Sequence, residues 1–506
     1  MTTPSPAGTP NEAGEGTAQL DTALVRGIAW IGLLRWSAQV ASWVATLAVV
    51  RFVAPSDYGI ISMVMPIISL AVLLVEGGIT QAIISMRRSG EDDLHQLHAL
   101  SLGFGLAGTL IVAALAQPIA WFIGEARLIP LVLALSTTLL FENARTVPLA
   151  RFALALDYKR LATFDAVKSL TSAVVVLAAA VAGFGYWSLA LGYLVSSIVA
   201  TVLVLRRHPT GAARPDLKAL LPVVKYGATF VTGKLIWFLY SSADFMTVGR
   251  VLGHASLGQY AFAWNIASLP GEKIVNVVTA VTQPFFAAAK GDIVVIRWYV
   301  LRLTRLLALA VIPPLIGMCV MADDLIPVVF GAKWLPAAGP LRLLALYHSV
   351  YATSLVCTQV LAAMMRARTA TRASFFTLCF LIPGFFIGAK VGGVMGVGIA
   401  WLLVLPISVG VPLRAALELI ETRFVTYAAS YLPALVSSAL IAVAVVAVRA
   451  VLPASTPLPL QLAAEVAVAA VTYFVHARLS CREDIEWLRS LARARKEASA
   501  PAAATS

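Results

Sequence analysis

Charge is scarce in this chain: only 12% of its 506 residues are Asp, Glu, Lys or Arg, about half the share of a soluble domain. Hydrophobic residues make up 60% and the mean hydropathy is +0.87. A water-soluble fold is excluded; the chain reads as an integral membrane protein. Cysteine is scarce as well. The four present, Cys319, Cys357, Cys379 and Cys481, lie far apart, three of them in apolar segments, without CxxC or ligand spacing. That excludes a disulfide framework and a metal site and reads them as small buried residues. The six histidines are scattered, no GxxxxGK phosphate loop occurs, and no polar stretch is long enough for a nucleotide-binding domain. Neither a catalytic site, nor a cofactor, nor ATP-driven transport by this chain alone is expected.

Apolar runs of spanning length are what the chain has in abundance. About fourteen segments between residues 30 and 477 can each cross a hydrocarbon core of about 30 Å, which makes the fold class all-α and polytopic. The net charge of +13 sits in short loops between them, a topology signal rather than a nucleic-acid footprint. One set of alternate loops holds Arg87, Arg88, Arg151, Lys159, Arg160, Arg206, Arg207, Arg214 and Lys218, and later Lys290, Arg297, Arg366, Arg368, Arg372, Arg414 and Arg423. The other set holds little beyond Arg51, Arg127, Arg250, Lys333, Lys390 and Arg449. Both termini are therefore expected in the cytoplasm. Residues 1–20 read as a disordered tail without signal-peptide character. Residues 479–506 form a basic tail, either a helix on the inner leaflet or a plain solvated segment.

The chain also repeats itself. "RFVAPSDYG" from Arg51 to Gly59 is echoed by "RVLGHASLG" from Arg250 to Gly258, 199 residues on for both the arginine and the glycine. A weaker echo links "GFGYWSLALGY" (183–193) to "VGGVMGVGIAW" (391–401). An even number of spans separates the copies, so the repeats are parallel, related by a pseudo-two-fold along the membrane normal. Two six-helix lobes (21–210 and 211–420) are expected, with two appended C-terminal spans (421–478). Such lobes either enclose a substrate cleft or merely build a stable bundle.

Polar groups on the seam decide between those readings. Span one carries Arg35, Gln39, Ser42 and Thr46 as a stripe at helical spacing; span eight carries Asn265, Ser268, Glu272, Asn276, Thr279 and Gln283. Span two carries Ser62, Ser69, Glu76 and Thr80. A charge at membrane depth costs at least about 2.5–3.5 kcal/mol and so faces a bundle interior or a wet cavity. The repeat offset maps Arg35 onto Lys234 and Ser42 onto Ser241. Both cations then approach the seam about 24 Å below the outer loop, where they fit a diphosphate; the alternative is snorkelling to headgroups. Lys273 neighbours Glu272, and Arg145 either binds substrate or neutralises Glu142 three residues before it. Glu76, Glu142, Asp244 and Glu272 either carry coupling ions or only balance nearby cations.

With these residues in view, the sequence resembles the polysaccharide transporter family, the Wzx-like lipid-linked oligosaccharide flippases of the multidrug/oligosaccharidyl-lipid/polysaccharide exporter superfamily. The stretches that carry the resemblance are "VRFVAPSDYGIISMVMPIISLAVLLVEGGITQAII", "LDYKRLATFDAVKSLTSAVV", "GFGYWSLALGYLVSS", "SADFMTVGRVLGHASLGQYAFAWNIASLP" and "FGAKWLPAAGPLRLLALY". Ala54 stands where the family pattern has Gly before the loop proline, and the second copy lacks that proline, which leaves the substrate type open. The resemblance implies transport of undecaprenyl-diphosphate-linked repeat units across a bacterial inner membrane for exopolysaccharide, capsule or O-antigen synthesis. It implies membrane lipids and polysaccharide polymerase and export machinery as partners. A cation-coupled drug or metabolite antiporter on the same fold is the alternative. A membrane polymerase or ligase fits less well, because every outer loop is short.

Overall fold

The computed structural model describes residues 47–86, 90–155, 157–288, 292–364 and 366–480. Local sequence sets where its helices begin and end. Helix α1, Pro55–Glu76, starts on Pro55, whose missing N–H costs nothing at a first turn, and stops at Gly77 in the left-handed conformation. It continues as α2, Ile79–Ser85. Three acids, Glu91, Asp92 and Asp93, open α3, Glu91–Ala114, where the helix dipole favours negative charge; α4, Ala116–Ile123, carries it on. Helix α5 is Leu128–Leu154. Asp157 caps α6, Tyr158–Val181, by accepting from the Arg160 amide at 3.1 Å. Helix α7 is Trp187–Arg207.

The longest element, α8, runs Leu217–Ala288 and breaks at Gly253, where φ 83° and ψ 173° reverse its course at a position suited to glycine. Asp292 caps α9, Ile293–Val320. Helix α10 is Ala338–Ala363; α11, Ala367–Leu405, breaks at Gly393 as α8 does at Gly253. Helices α12 (Val411–Leu419), α13 (Leu432–Val451) and α14 (Leu458–Ser480) complete the order. Ten helices among the described residues are long and apolar enough to cross a membrane. The chain is an all-helical, multi-pass membrane protein.

One hydrophobic core joins the two halves of the chain. It takes Ile60, Val64 and Ile68 from α1, Leu131 and Leu135 from α5, Tyr260 and Phe262 from α8, and Trp334 and Trp401 from the second half. A satellite core of Ile441, Val445 and Leu462 ties α13 and α14 to Met321. There Arg449 donates to Glu465 Oε1 at 2.7 Å and also to Asp324. Cys357 is buried as expected, Cys319 is half-buried, and Cys379 is exposed, contrary to the reading of these cysteines as buried residues. Cys379 sits on the outer face of α11 beside Phe375, Phe376 and Phe380, a face suited to lipid.

The sequence echo has a physical cause. A Cβ on Gly59 would fall 1.7 Å from the carbonyl oxygen of His254, and one on Gly258 would fall 1.8 Å from that of Pro55. The two echoed glycines thus pack backbone to backbone, each against the turn preceding the other. At the other end of α1, against the first limb of α8, a Cβ on Gly227 would lie 2.1 Å from the Gly77 oxygen and one on Gly78 2.6 Å from the Gly227 oxygen. Small residues at such crossings let helix backbones approach in a medium where van der Waals contact, not hydrophobicity, holds helices together. We call the Gly59–Gly258 end of the bundle upper and the opposite end lower.

These contacts set a sign. Gly→Ala in an open helix position gains up to about 1 kcal/mol, whereas overpacking a rigid contact costs about 1–3 kcal/mol. Thermal unfolding in detergent should therefore show Gly59→Ala and Gly258→Ala less stable than the parent. Gly103→Ala, which meets nothing within 4 Å, should not lower the midpoint. Equal midpoints for all three variants would contradict the contact.

Candidate functional site

Within the bundle, α5, α6 and α7 bring charges together. Glu142 of α5 accepts from Lys168 Nζ of α6 at 2.8 Å, from Ser197 Oγ of α7 at 2.9 Å, and from Arg145 one turn along its own helix. The side chains are 13% (Glu142), 11% (Arg145) and 24% (Lys168) exposed. One carboxylate therefore answers two cations. Lys168 also lies 5.5 Å from the centre of the Tyr193 ring. A cavity of about 410 Å³ opens beside it, lined by Tyr58, Asp165, Lys168, Ser169, Ser172, Tyr193 and Ser196 among apolar neighbours. Five hydroxyls and two opposite charges stud a chamber whose walls are otherwise mostly apolar, an arrangement suited to sugars and phosphate oxygens, which take hydrogen bonds from hydroxyls and charge-assisted bonds from Lys.

The chamber reaches the seam between the halves through Tyr58. Its hydroxyl accepts from Asn265 Nδ2 of α8 at 2.9 Å, and its ring meets Trp334 edge-on at 5.7 Å. Around it the upper end is laced shut. Arg51 donates to the carbonyls of Val328 and Val329 at 2.6 and 3.0 Å. Lys333 donates to those of Arg51 and Val53, both at 2.8 Å, and Trp334 Nε1 to Val50 at 2.9 Å. Side-chain donors from each half thus cap helix-end carbonyls of the other, groups with no partner in their own helix. A second link joins the turn before α5 to the turn in α8. Arg127 Nε donates to Glu125 at 2.8 Å; the His254 ring lies 3.3 Å from both Arg127 Nη2 and Glu125 Oε2.

In the second half, Asp244 of α8 is fully buried. It accepts from Tyr260 Oη at 2.6 Å, from Trp401 Nε1 at 3.2 Å and from the Phe245 amide at 2.9 Å. Neutral donors hold this carboxylate, and it shares no partner with Glu142.

Among the residues singled out by sequence, Glu142 and Arg145 come together, and Asn265 reaches the seam. Glu76 is half-buried in the last turn of α1, next to the close contact at Gly77 and Gly78. Lys234 is exposed on the first limb of α8. Arg35, Gln39, Ser42 and Thr46 lie outside the described residues, as do the side chains of Glu272, Lys273, Asn276, Thr279 and Gln283. Sequence reasoning missed Tyr58, Lys168, Tyr193, Ser197, Tyr260 and Trp401. Lys168 had a signal: it is a cation inside an apolar segment, close in the chain to a span that carries an acid.

The bundle itself matches known transporters. It superposes on the lipid II flippase MurJ in its inward closed conformation with a TM-score of 0.75, over 90% of this chain and 100% of that one, at 14% identity. An inward-facing multidrug resistance MATE family transporter of the MOP superfamily follows at 0.60, over 77% of this chain and 99% of that one, also at 14% identity. The fold is that of a MOP-type membrane transporter. Within it, residues 48–339 match the polysaccharide biosynthesis protein family, and the chain belongs to that family. Its relatives include the lipopolysaccharide biosynthesis protein WzxC of Escherichia coli (strain K12), 27% identical over 73% of this chain and 77% of WzxC. Another is the succinoglycan biosynthesis transport protein ExoT of Rhizobium meliloti (strain 1021), 21% identical over 65% of this chain and 66% of ExoT.

Two outcomes test this geometry. Removing one partner of a buried pair costs about 3–5 kcal/mol when the other charge is stranded, so Glu142→Gln should lower the unfolding midpoint. In a double-mutant cycle with Lys168→Met the two losses should be far from additive; additive losses would show that the pair is not coupled.

At the upper link, the hydrogen bond from Arg127 holds the Glu125 carboxyl below the usual range. A lowered folded value means that the stabilisation is full above the ordinary Glu value of about 4.3 and fades as pH falls through the lowered one. The midpoint difference between the parent and Glu125→Gln should accordingly stay constant from neutral pH down to about 4.3, shrink as pH falls from there through the lowered value, and be lost below it. A difference already lost at neutral pH would refute the link.

Proposed function

We propose that this chain is a flippase for undecaprenyl-diphosphate-linked oligosaccharide units in a bacterial cytoplasmic membrane, serving exopolysaccharide, capsule or O-antigen synthesis. The observation that carries the reading is the pair of cations, Arg145 and Lys168, on one carboxylate beside a hydroxyl-lined chamber, in a chain of the polysaccharide biosynthesis family. The names of WzxC, ExoT and MurJ point the same way.

The mechanism follows from charge exchange. An arriving diphosphate replaces Glu142 as the partner of Arg145 and Lys168, while hydroxyls of the chamber take over hydrogen bonds that the sugars made to water. Protonation of Glu142 would free both cations, which makes it the better candidate for coupling than Asp244, whose neutral partners fix a corner of the second half. Arg35, Lys234, Gln39, Glu272, Lys273, Asn276 and Glu76 extend the polar path in this reading. In this reading the lower end, with its basic loops, and both termini face the cytoplasm. Two lobes, 21–210 and 211–420, then rock about the glycine contacts. The upper lacing opens to release the cargo outward, toward polymerase and export machinery.

Deleting the gene should cause lipid-linked repeat units to accumulate on the cytoplasmic leaflet. Complementation by Arg145→Gln/Lys168→Gln should fail, with the variant's membrane level measured alongside. A normal leaflet distribution in the deletion strain would reject the flippase reading in favour of a small-molecule antiporter.

A further inference from the structure

An apolar groove of about 590 Å³ crosses from the first half of the chain to the second. Its walls include Pro66 of α1, Phe122 of α4, Leu239 and Met246 of α8, and Ile382 of α11. It runs from Phe122, two residues before the turn at Gly124, down past Pro66 to Leu70, which lies about 22 Å along α1 from its upper end. Pro66 has no N–H to give the carbonyl one turn back, so the α1 wall departs from regular helix there. The groove makes little polar demand: the hydroxyl of Thr247 is satisfied by the Ala243 carbonyl at 2.8 Å. Hydrocarbon is what such a surface takes.

The mouth of the groove is not apolar. Arg250 is exposed, and its guanidinium stands 6.0 Å from the centre of the Phe122 ring. Its counterpart in the repeat, Arg51, also reaches across to the other half but is occupied by two carbonyls. Arg250 instead meets an aromatic face at the head of a hydrocarbon groove, an arrangement worth only about 0.5–1 kcal/mol at an exposed site. A phosphate oxygen is a stronger partner for a guanidinium than a ring face is. A long apolar slot capped by a cation is complementary to one kind of molecule, an amphiphile with an extended hydrocarbon chain and an anionic head.

We propose that this groove holds the polyprenyl chain of the cargo while its diphosphate, leaving the seam at the upper end, meets Arg250. The proposal rests on the flippase reading and adds the place where the lipid anchor travels. The groove adjoins both halves, so a relative movement of the halves would reshape it and let the chain go.

The test uses the full chain in nanodiscs, with undecaprenyl diphosphate as probe and binding read by native mass spectrometry. Leu239→Trp and Ile382→Trp fill the groove from opposite walls at side chains that are already exposed, so at least one should fold. Each should weaken probe binding about tenfold, roughly 1.4 kcal/mol. Arg250→Gln should weaken binding of the diphosphate but not of uncharged undecaprenol. Unchanged binding in folded tryptophan variants would overturn the proposal, as would displacement of the probe by an equal amount of phosphatidylglycerol, which would mark a site for bulk lipid. Wild type that binds the probe beside tryptophan variants that bind it equally would refute the groove and leave the flippase reading standing. That reading fails separately, on the leaflet distribution in the deletion strain.

Discussion

Backbone-to-backbone contact between α1 and α8 is the constraint on which the rest of the structure depends. In a bilayer, lipid tails solvate a leucine as well as another helix does, so two halves of a chain must be held by close packing and by polar groups that lipid cannot satisfy. Gly59 against Gly258, and Gly77 and Gly78 against Gly227, supply the first. The carbonyls of Val50, Arg51, Val53, Val328 and Val329, each capped from the opposite half, supply the second. Close packing without side chains leaves no interlocking ridges, which suits a surface on which helices pivot. These capping hydrogen bonds lie at the upper end, where the halves would part in the proposed cycle.

Charge is the second organising feature, and its placement follows from its cost. The first half holds Glu142 between Arg145 and Lys168, ions able to take another anion, with the Ser197 hydroxyl as a neutral third partner. The second half buries Asp244 among Tyr260, Trp401 and an amide, partners that no cargo would displace. A carboxylate held by ions can exchange them, whereas one held by neutral donors acts as a strut. In this picture the halves divide the labour, the first offering the exchangeable charges and the second a stiff wall for them to move against.

Much of this was legible in the sequence, and the boundary of legibility is physical. Hydropathy marked the helices because a spanning segment must satisfy its own backbone. The glycine echo was visible because a backbone contact between two helices asks for glycine on both, in register. The Glu142–Arg145 pair could be read because helical spacing of three is local. Lys168 and Ser197 could not, because their partner lies on another helix, and no one-dimensional spacing reports which faces of α5, α6 and α7 converge. Tyr58 and Asn265 meet over 207 residues for the same reason. Lys234 was read from the repeat offset as a cation at the seam; it is exposed on the first limb of α8, as a residue lining a wet cleft would be, and its counterpart Arg35 lies outside the described residues. Cys379 misled because an apolar span has a lipid face as well as an inner one.

In the proposed cycle the upper end must part for cargo to pass. With Cys319, Cys357, Cys379 and Cys481 replaced by serine, Arg51→Cys and Lys333→Cys would place one thiol on each half at the lacing. A short bifunctional thiol linker should then block polymer export while the unlinked protein exports normally, and cleavage of the linker should restore it. Undiminished export with the two halves fully cross-linked would show that cargo passes without the upper end parting.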